Sequence, residues 1–477
     1  MAERSTRLSG AVAMLIVSLC ALVPRTGLAQ TAAIAPSPVP PAFTLDQALQ
    51  YAVDHYPTVR AALEQVNAST AGITVARSAY LPRLDSLWQS NRATANNIFG
   101  QVLPQSVIPA MSGPVLPSTS TQSVWGSAVG AALSWEPFDF GLRRASVTQA
   151  EAAVAQARAG EALTQLEVQT AVGSAFLGVV AAQRAVDAAQ ADADRRAILG
   201  RVVHTLVDNQ LRPGAEASRS DAERAAAQTR LIQAQETLIL AQTTIARVLG
   251  VTVGPVMIDP ATLVDTLPAT DLTAGSVIAK HPLAQVRQAS VDTVRAQQEV
   301  LARTDLPRLY VLSSVFARGS GANANGQLDG SFDGLGLDRA NWAAGVQVVF
   351  PNVFDFSSLR ARKSAAASSE RVEAALYDEA VLTVTSQQQA SAAMVQAARR
   401  IAANTPVQLA AAQQSEEQAR ARYQAGLASI VEVADAQSLL AQAEMQDQLA
   451  RVDVWRALLA QAVAEGDLAP FVALLHP

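Results

Sequence analysis

The stretch YLPRLDSL (residues 80–87) reappears in the second half of the chain as DLPRLYVL (305–312). The residue numbers of the two prolines differ by 307 − 82 = 225. A second pair of strings, HYPTVRAA (55–62) and KHPLAQVRQA (280–289), aligns its prolines at the same offset, 282 − 57 = 225. Self-similarity at one fixed offset indicates an internal repeat.

Two later pairs of markers continue the repeat at smaller offsets. The string WEPFDFG (135–141) is answered by PNVFDFSS (351–358), at 354 − 138 = 216. Gly214 and Gly426 follow at 426 − 214 = 212, and we expect them to mark equivalent turns. The chain is therefore interpreted as a tandem duplication whose second copy has a shorter internal loop.

The first residues have the pattern of a secretory signal peptide. Arg4 and Arg7 precede an apolar run at residues 8–23, and the small residues Gly27 and Ala29 precede Gln30. This order of charged, apolar and small residues is typical of a cleaved export signal. A single-span anchor is the alternative, but the run is short for a span of ~20 residues.

The totals exclude several classes of protein. The chain has 477 residues, of which 50% are hydrophobic, 5% aromatic and 16% charged, and its net charge is −5. A nucleic-acid-binding protein needs clustered Lys and Arg along one face, and we find no such cluster. The only cysteine, Cys20, lies in the apolar run of the signal peptide, so the mature chain needs neither disulfides nor thiol chemistry.

Each copy has the same predicted order of elements. Thr44 is placed to cap a helix, and Pro57 is placed to start a second helix, since proline fits a first helical turn. Alternating residues then predict strands. The residues that share one side of a predicted strand are Trp125, Val129, Leu133 and Trp135 in the first copy, and Leu309, Val311, Ser313 and Val315 in the second.

The predicted strands are about ten residues long, and some end in aromatic residues such as Trp135 and Phe350. Both features are typical of membrane barrel strands, whereas a soluble two-stranded hairpin is the alternative. Two strands per copy give four per chain, which is too few to close around a water-filled channel. Several chains must combine, or no barrel forms.

A long helical pattern follows each strand pair, at about 145–207 and about 358–423. Each would be roughly 90 to 100 Å long at the standard rise per residue. Apolar positions step by three and four as in a coiled coil, and Pro406 is expected to interrupt and kink the second long helix.

These patterns divide the chain into consecutive segments. They are a signal peptide (1–29), a first repeat (30–250) with a strand pair at about 81–136 and a long helical hairpin at about 143–250, an inter-repeat linker (251–275), a second repeat (276–466) with a strand pair at about 306–351 and a helical hairpin at about 358–466, and a C-terminal tail (467–477).

No sequence motif indicates an enzyme. The four histidines fall in no HExxH motif, and neither GxSxG nor a phosphate-binding loop is present. We therefore predict no catalytic, cofactor-binding or metal site. Two non-enzymatic interpretations remain: a passive membrane conduit, or a soluble periplasmic coiled-coil adaptor or scaffold protein.

The ordered set TLDQALQYA, HYP, YLPRL and WEPFDFG, its repetition, and the terminal RYQAGLASIVEVADAQ resemble the TolC-type outer-membrane efflux family over essentially the whole mature chain. The resemblance implies a mainly α-helical chain with a membrane β-barrel portion. Four strands per protomer would contribute to a trimeric twelve-stranded barrel, above a long coiled-coil α-helical periplasmic barrel. It further implies an outer-membrane exit duct that works with a periplasmic adaptor protein and an inner-membrane transporter.

The resemblance also implies roles for particular residues. Glu432 and Asp435 match the acidic positions of the periplasmic aperture, and Tyr423 matches a position in the network that holds it shut. The family carries an arginine in some members where this chain has Ala428, so that part of the closing network is not carried over. Solvated charge on a helix surface is the alternative for the two acids. The residues implied for adaptor docking are Gly214, Ser218, Gly426, Leu427 and Ser429.

Overall fold

The computed structural model describes residues 42–94, 96, 102–109, 115–251, 256–260, 263, 267–268, 277–323, 325, 327–351 and 355–475. The proposed signal peptide (1–29), including Cys20, lies outside the described residues, as does most of the linker at 251–275.

The first copy contains four helices and two strands among its described residues. In chain order these are α1 (Leu45–His55), α2 (Pro57–Ser78), β1 (Arg83–Thr94), β2 (Ser123–Phe138), α3 (Leu142–Asp208) and α4 (Gly214–Leu249). The second copy repeats the order from α2 onward. Its elements are α5 (Pro282–Arg303), β3 (Arg308–Ser320), β4 (Arg339–Val349), α6 (Phe356–Gln424) and α7 (Ile430–Glu465), followed by the short helix α8 (Ala469–Ala473).

The element bounds give the repeat two offsets in residue number. Helices α2 and α5 begin at an offset of 282 − 57 = 225, and strands β1 and β3 begin at 308 − 83 = 225. After the strand hairpins, α3 and α6 end at an offset of 424 − 208 = 216, and α4 and α7 begin at 430 − 214 = 216. The mostly helical, tandem-duplicated fold with four strands per chain is confirmed. The loop within the strand hairpin accounts for the change in offset.

Local sequence explains where the first helices begin. Gln47 N–H faces the Thr44 side chain, and the Gln47 side chain faces Thr44 N–H, which forms a capping box at the start of α1. Leu45, Ala48, Leu49 and Ala52 are buried, as their helical spacing predicts.

The four strands form one antiparallel sheet in the order β1-β2-β3-β4. The register pairs Trp88 with Val129 and Val315 with Trp342, so these residues share one face of the sheet. Trp88 and Trp342 are more than 70% exposed. Small and polar residues alternate with them on the other face, including Gly126, Ala128, Gly130, Ala132, Asn91 and Asn341. The sheet thus has a largely apolar face and a small or polar face.

The corner between β2 and α3 is fixed by Asp139. Its carboxylate accepts hydrogen bonds from Gly141 N–H (3.0 Å) and from Arg143 N–H (2.7 Å) and Nε (2.8 Å). Burial alone raises the pKa of Asp139, but the hydrogen bonds from Arg143 and Gly141 lower it below the ordinary value. Phe138, at the same corner, is 52% exposed. Its counterpart Phe354 lies outside the described residues.

The chain divides into two compact units. One contains the sheet and spans Ala71–Ala150 and Ala296–Ala366, and the other contains Glu151–Arg295 and Ala367–Pro477. The helical unit has a large apolar core in which Phe176, Trp455 and Phe471 are at most 2% exposed. Within the described part of the chain, one helix, α3, holds a stretch long and apolar enough to cross a membrane, but 56% of that stretch is buried inside the fold, as in core helices of soluble proteins.

The expected interruption at Pro406 is wrong. Helix α6 is continuous from Phe356 to Gln424 with Pro406 inside it. A proline in a helix removes one backbone hydrogen bond. Next to the proline, Thr405 Oγ1 donates a hydrogen bond to Asp447 Oδ1 of α7 at 2.9 Å, and both residues are buried, so a tertiary contact supports the helix at this turn.

Helix α6 reverses into α7 at Gly426, and we name this reversal the second tip. Gly426 has φ of +77°, and its N–H donates to Tyr423 O at 3.0 Å, while Leu427 N–H donates to Arg422 O at 2.8 Å. These two bonds form a Schellman motif, which needs a residue in the left-handed region and therefore favours glycine.

The same motif ends α3 at the first tip, the reversal between α3 and α4, but at Gln210 rather than Gly214. Gln210 has φ of +59°, its N–H donates to Val207 O at 2.8 Å, and Leu211 N–H donates to Leu206 O at 2.9 Å. The offset between Gln210 and Gly426 is 426 − 210 = 216, as for the helices around them. Gly214 is instead the first residue of α4. The expectation that Gly214 and Gly426 mark equivalent turn positions is therefore wrong.

The two tips predict opposite effects of exchanging side chains. Gln210→Gly should stabilise the first tip by roughly 0.5 to 1 kcal/mol, because glycine adopts a positive φ without steric cost. Gly426→Ala should destabilise the second tip by about 1 kcal/mol for the same reason. Hydrogen exchange at the Leu211 and Leu427 amides, which donate across the two turns, measures both changes.

Gly214→Ala is the matched control, since Gly214 has a helical conformation and open space where its Cβ would lie. Equal protection in Gln210→Gly and the unchanged protein would contradict this assignment of strain.

Candidate functional site

The candidate site lies at the two tips and at the start of α7. Tyr423, one turn before the second tip, is 1% exposed. Its hydroxyl donates a hydrogen bond to Glu216 Oε2 of α4 at 2.8 Å. Arg212, in the first tip, places its guanidinium carbon 4.6 Å from the centre of the Tyr423 ring and donates to Tyr423 O at 2.9 Å. Three kinds of contact thus join the second tip to the first.

We name Arg212, Glu216 and Tyr423 the tip clasp. Arg212 Nη1 is 3.8 Å from Glu216 Oε1, so the guanidinium balances the carboxylate that accepts the Tyr423 hydroxyl. Burial raises the pKa of Tyr423 to about 12, and the hydrogen bond to Glu216 acts in the same direction. The hydroxyl therefore keeps its proton, and remains a donor, throughout the neutral range.

An apolar cluster supports the clasp. Val203 of α3 and Ile430 and Val433 of α7 are at most 4% exposed and pack in one cluster with Tyr423. Ala428 belongs to the same cluster and is buried. The clasp and this apolar cluster together join the two tips.

Glu432 is tied to the helix start. Its Oε1 accepts a long hydrogen bond from Ser429 N–H at 3.5 Å, and its Oε2 is 3.7 Å from Arg422 Nη1. Ser429 is the N-cap of α7, so Glu432 occupies the acidic position of a capping box. The carboxylate therefore has a structural role, but its side chain remains 48% exposed.

Asp435 is exposed and forms no hydrogen bond or ion pair with any described residue. It lies three residues after Glu432, so both carboxylates are on one face of α7. The buried residues Val433 and Ala434 lie on the opposite side. The structure thus places two exposed acids together on a surface that the chain itself does not cover.

The docking residues expected from the resemblance are exposed at the tips. Ser218, Gly426 and Ser429 are exposed, and Leu427 is 71% exposed. Leu211 occupies the position equivalent to Leu427 in the first tip and is 67% exposed. The residue after the left-handed position usually packs back onto its helix, so two exposed leucines here are unusual.

A second set of links joins the two hairpins further along the helices. Arg196 of α3, 3% exposed, is 3.0 Å from Asp192, and it donates to Glu223 of α4 (2.8 Å) and to Ser438 of α7 (3.0 Å). Its neighbour Arg195 forms a two-armed ion pair with Glu444 of α7. Each buried charge in this network has an opposite partner.

Sequence reasoning missed Arg212, Glu216, Gln210 and the Arg196 network. Arg212 and Glu216 have an i, i+4 spacing that a helix pair of opposite charges shows, which was an available signal. Tyr423 belongs to the other copy of the repeat, and no sequence pattern indicated that Arg212 and Glu216 contact it. Within the described residues, no group of three or more His, Cys, Asp or Glu could hold a metal ion.

The family model for "Outer membrane efflux protein" matches the chain twice, at residues 48–251 and 274–464. No curated protein matches the chain in sequence. Among solved structures, the outer membrane protein VceC from Vibrio cholerae has a TM-score of 0.69 at 16% identity, covering 89% of this chain and 96% of its own.

Two further channels are similar. CmeC from Campylobacter jejuni has a TM-score of 0.70 at 13% identity, covering 88% of this chain and 85% of its own. The open state of MtrE from Neisseria gonorrhoeae has a TM-score of 0.69 at 18% identity, with 89% of each chain covered. These likenesses show the fold, and the two family matches cover most of the chain and both copies of the repeat. The chain belongs to the outer membrane efflux protein family and is an outer-membrane exit duct for efflux.

Proposed function

We propose that three copies of the chain form a passive tunnel that is gated at its helical tips and recruited by a periplasmic adaptor and an inner-membrane transporter. The observation that carries the proposal is the sheet. It has one largely apolar exposed face, and its outer strands β1 and β4 are each paired on one side only among the described residues.

Unpaired strand edges are not tolerated in a hydrocarbon layer, because each free N–H or C=O costs several kcal/mol there. The edges must therefore pair with other copies of the chain. Three sheets of four strands give a barrel of twelve strands, wide enough for a lumen. The small and polar face of each sheet would line that lumen, and Trp88, Trp342 and Val346 would face lipid.

The tip clasp supports a gate at the helical tips of the proposed tunnel. It holds α6 and α7 to the first hairpin at the point where both helices reverse. Under threefold symmetry, Glu432 and Asp435 would form two rings of three carboxylates each. Rings of acidic side chains favour cations in a narrow aperture.

The proposed tunnel has no catalytic activity of its own, since the family consists of transport proteins. The driving energy would come from the inner-membrane transporter, and the adaptor would dock at the exposed tips around Leu211 and Leu427. The comparisons give no support to the alternative of a soluble periplasmic scaffold.

The acidic rings predict ion selectivity. In a planar bilayer, the purified protein should show a small, cation-selective single-channel conductance. Glu432→Gln/Asp435→Asn should bring the permeability ratio of cations to anions toward one, because the variant removes both rings of charge. Single-channel recordings with a salt gradient measure this ratio.

The control is Glu64→Gln/Glu236→Gln, which removes the same charge from exposed positions on α2 and α4. A ratio that falls equally in both variants would mean that net charge, and not the aperture, sets selectivity. A water-soluble monomer without conductance would refute the tunnel.

The tip clasp is expected to determine the fraction of time for which the channel is closed. Tyr423→Phe keeps the ring on Arg212 but removes the donor to Glu216, and a hydrogen bond to a charged group contributes about 1.5 to 3 kcal/mol. The open fraction in single-channel recordings should rise more than about tenfold. Tyr377→Phe, the same change elsewhere on α6, should leave it unaltered. An unchanged open fraction in Tyr423→Phe would remove the clasp from the gate.

The exposed leucines predict a separable effect on recruitment. Leu211→Ser/Leu427→Ser should abolish efflux in cells that lack the native gene, while the conductance of the purified protein stays unchanged. Leu382→Ser, which removes a leucine that is 71% exposed on α6, is the control. Efflux retained by the double variant would place adaptor docking elsewhere.

A further inference from the structure

Basic residues lie within the first two turns of both of the long helices that follow the sheet. The first corner reads FDFGLRRAS (138–146) and the second FDFSSLRARKS (354–364). Arg144, Arg360 and Arg362 are exposed, and none forms an ion pair with a described residue. We name these three residues the basic collar. Arg143 and Lys363 lie beside it but pair with Asp139 and Asp305.

The collar is not explained by helix stability. The N-terminus of a helix is its positive end, so Arg144, in the first turn of α3, opposes the helix dipole, whereas Arg360 and Arg362 lie in the second turn of α6. Neither α3 nor α6 has an acidic residue in its first turn. Exposed arginines without an ion-pair partner among the described residues occur at this place in both copies of the repeat, and such a set of charges suits a partner that carries negative charge.

The collar residues lie at one end of the strands of the sheet. Strands β2 and β4 run in the same direction and end where β1 and β3 begin, because each neighbouring pair is antiparallel. Helices α3 and α6 continue from these strand ends, and the hairpin loops lie at the opposite ends of the strands. The basic side chains are therefore just beyond the strand ends.

Exposed aromatic residues lie near the same strand ends. Trp135, Phe138, Phe140, Phe350 and Phe356 are each 40% exposed or more. Such aromatic girdles lie at the level where hydrocarbon meets headgroups.

Phe356, which is 66% exposed, has Arg360 four residues later in α6, so both side chains are on one face of the helix. A guanidinium in that position is one helical turn beyond the apolar ring. This is the depth of the phosphate groups when the ring lies in the membrane interface.

We propose that the basic collar binds the phosphate groups of anionic phospholipids in the leaflet nearest the helices. Arginine is suited to this partner, because its planar guanidinium can donate two parallel hydrogen bonds to one phosphate. The inference rests on the proposed barrel, whose apolar face must already lie in lipid. Each collar arginine should favour an anionic over a zwitterionic headgroup by roughly fivefold.

The test uses the tryptophans of the sheet as reporters. Trp88, Trp135 and Trp342 are exposed, and Trp455 is buried in the helical unit. The protein is reconstituted in vesicles containing either brominated phosphatidylglycerol or brominated phosphatidylcholine in a phosphatidylcholine background, since bromine quenches tryptophan fluorescence on contact. The unchanged protein should bind phosphatidylglycerol preferentially, and the preference should disappear at about 0.5 M salt, where screening acts over roughly 4 Å.

The variant Arg144→Gln/Arg360→Gln/Arg362→Gln should lose the preference, with both lipids quenching equally. Arg201→Gln/Arg219→Gln/Arg247→Gln removes the same charge from exposed positions on α3 and α4 and should retain it. A preference that survives in the collar variant, or that is absent from the unchanged protein, overturns the proposal.

Two further outcomes distinguish failure of the headgroup assignment from failure of the proposed barrel. Absence of quenching by either brominated lipid would mean that the sheet does not face lipid, which refutes the barrel. Dissociation of the collar variant into single chains, with lipid preference unaltered, would mean that a second copy of the chain supplies the negative partner, and the headgroup assignment would be wrong.

Discussion

The fold depends on one constraint: a strand edge in a membrane must be paired. The part of the chain that the structure describes supplies four strands, and β1 and β4 are each paired on one side there. Internal duplication doubles the number of strands per chain but does not close the sheet. In the proposed assembly, other copies therefore complete the barrel, and every helix that continues from the sheet inherits its symmetry.

The duplication also explains why the two tips resemble each other without being identical. The helix before each tip ends in a Schellman motif at the equivalent position of the repeat. The residue in the left-handed region is Gly426 in the second tip and Gln210 in the first. The contacts around them differ as well. The first tip supplies Arg212 and Glu216, and the second supplies the tyrosine that they hold. The two equivalent turns thus carry different side chains that form complementary surfaces.

The sequence predicted features that rest on local physics. Thr44 as a cap, Pro57 as a helix start and the alternation around Trp125 follow from backbone chemistry and periodicity. Gln210 was missed because a non-glycine residue at positive φ leaves no signal in composition, and Gly214 nearby gave a misleading one. The interruption expected at Pro406 was wrong, because local rules do not include tertiary contacts such as the buried Thr405–Asp447 hydrogen bond, whereas the expected kink stays a prediction. The clasp was beyond sequence reasoning, because it joins residues that are distant in the chain.

The clasp also constrains how the proposed gate can open. Since the pKa of Tyr423 is about 12, no change of pH in the neutral range removes its hydroxyl proton, and the bond to Glu216 is not a pH switch. Displacement of Arg212 or Tyr423 by a bound partner would break this contact without any change of protonation. Leu211 directly precedes Arg212, and Leu427 O accepts a hydrogen bond from Arg422, the residue before Tyr423. A partner seated on the two exposed leucines would therefore act on the backbone of both sides of the clasp. Docking and opening would be one event, since the surface that an adaptor can reach adjoins the contacts that keep the tips closed.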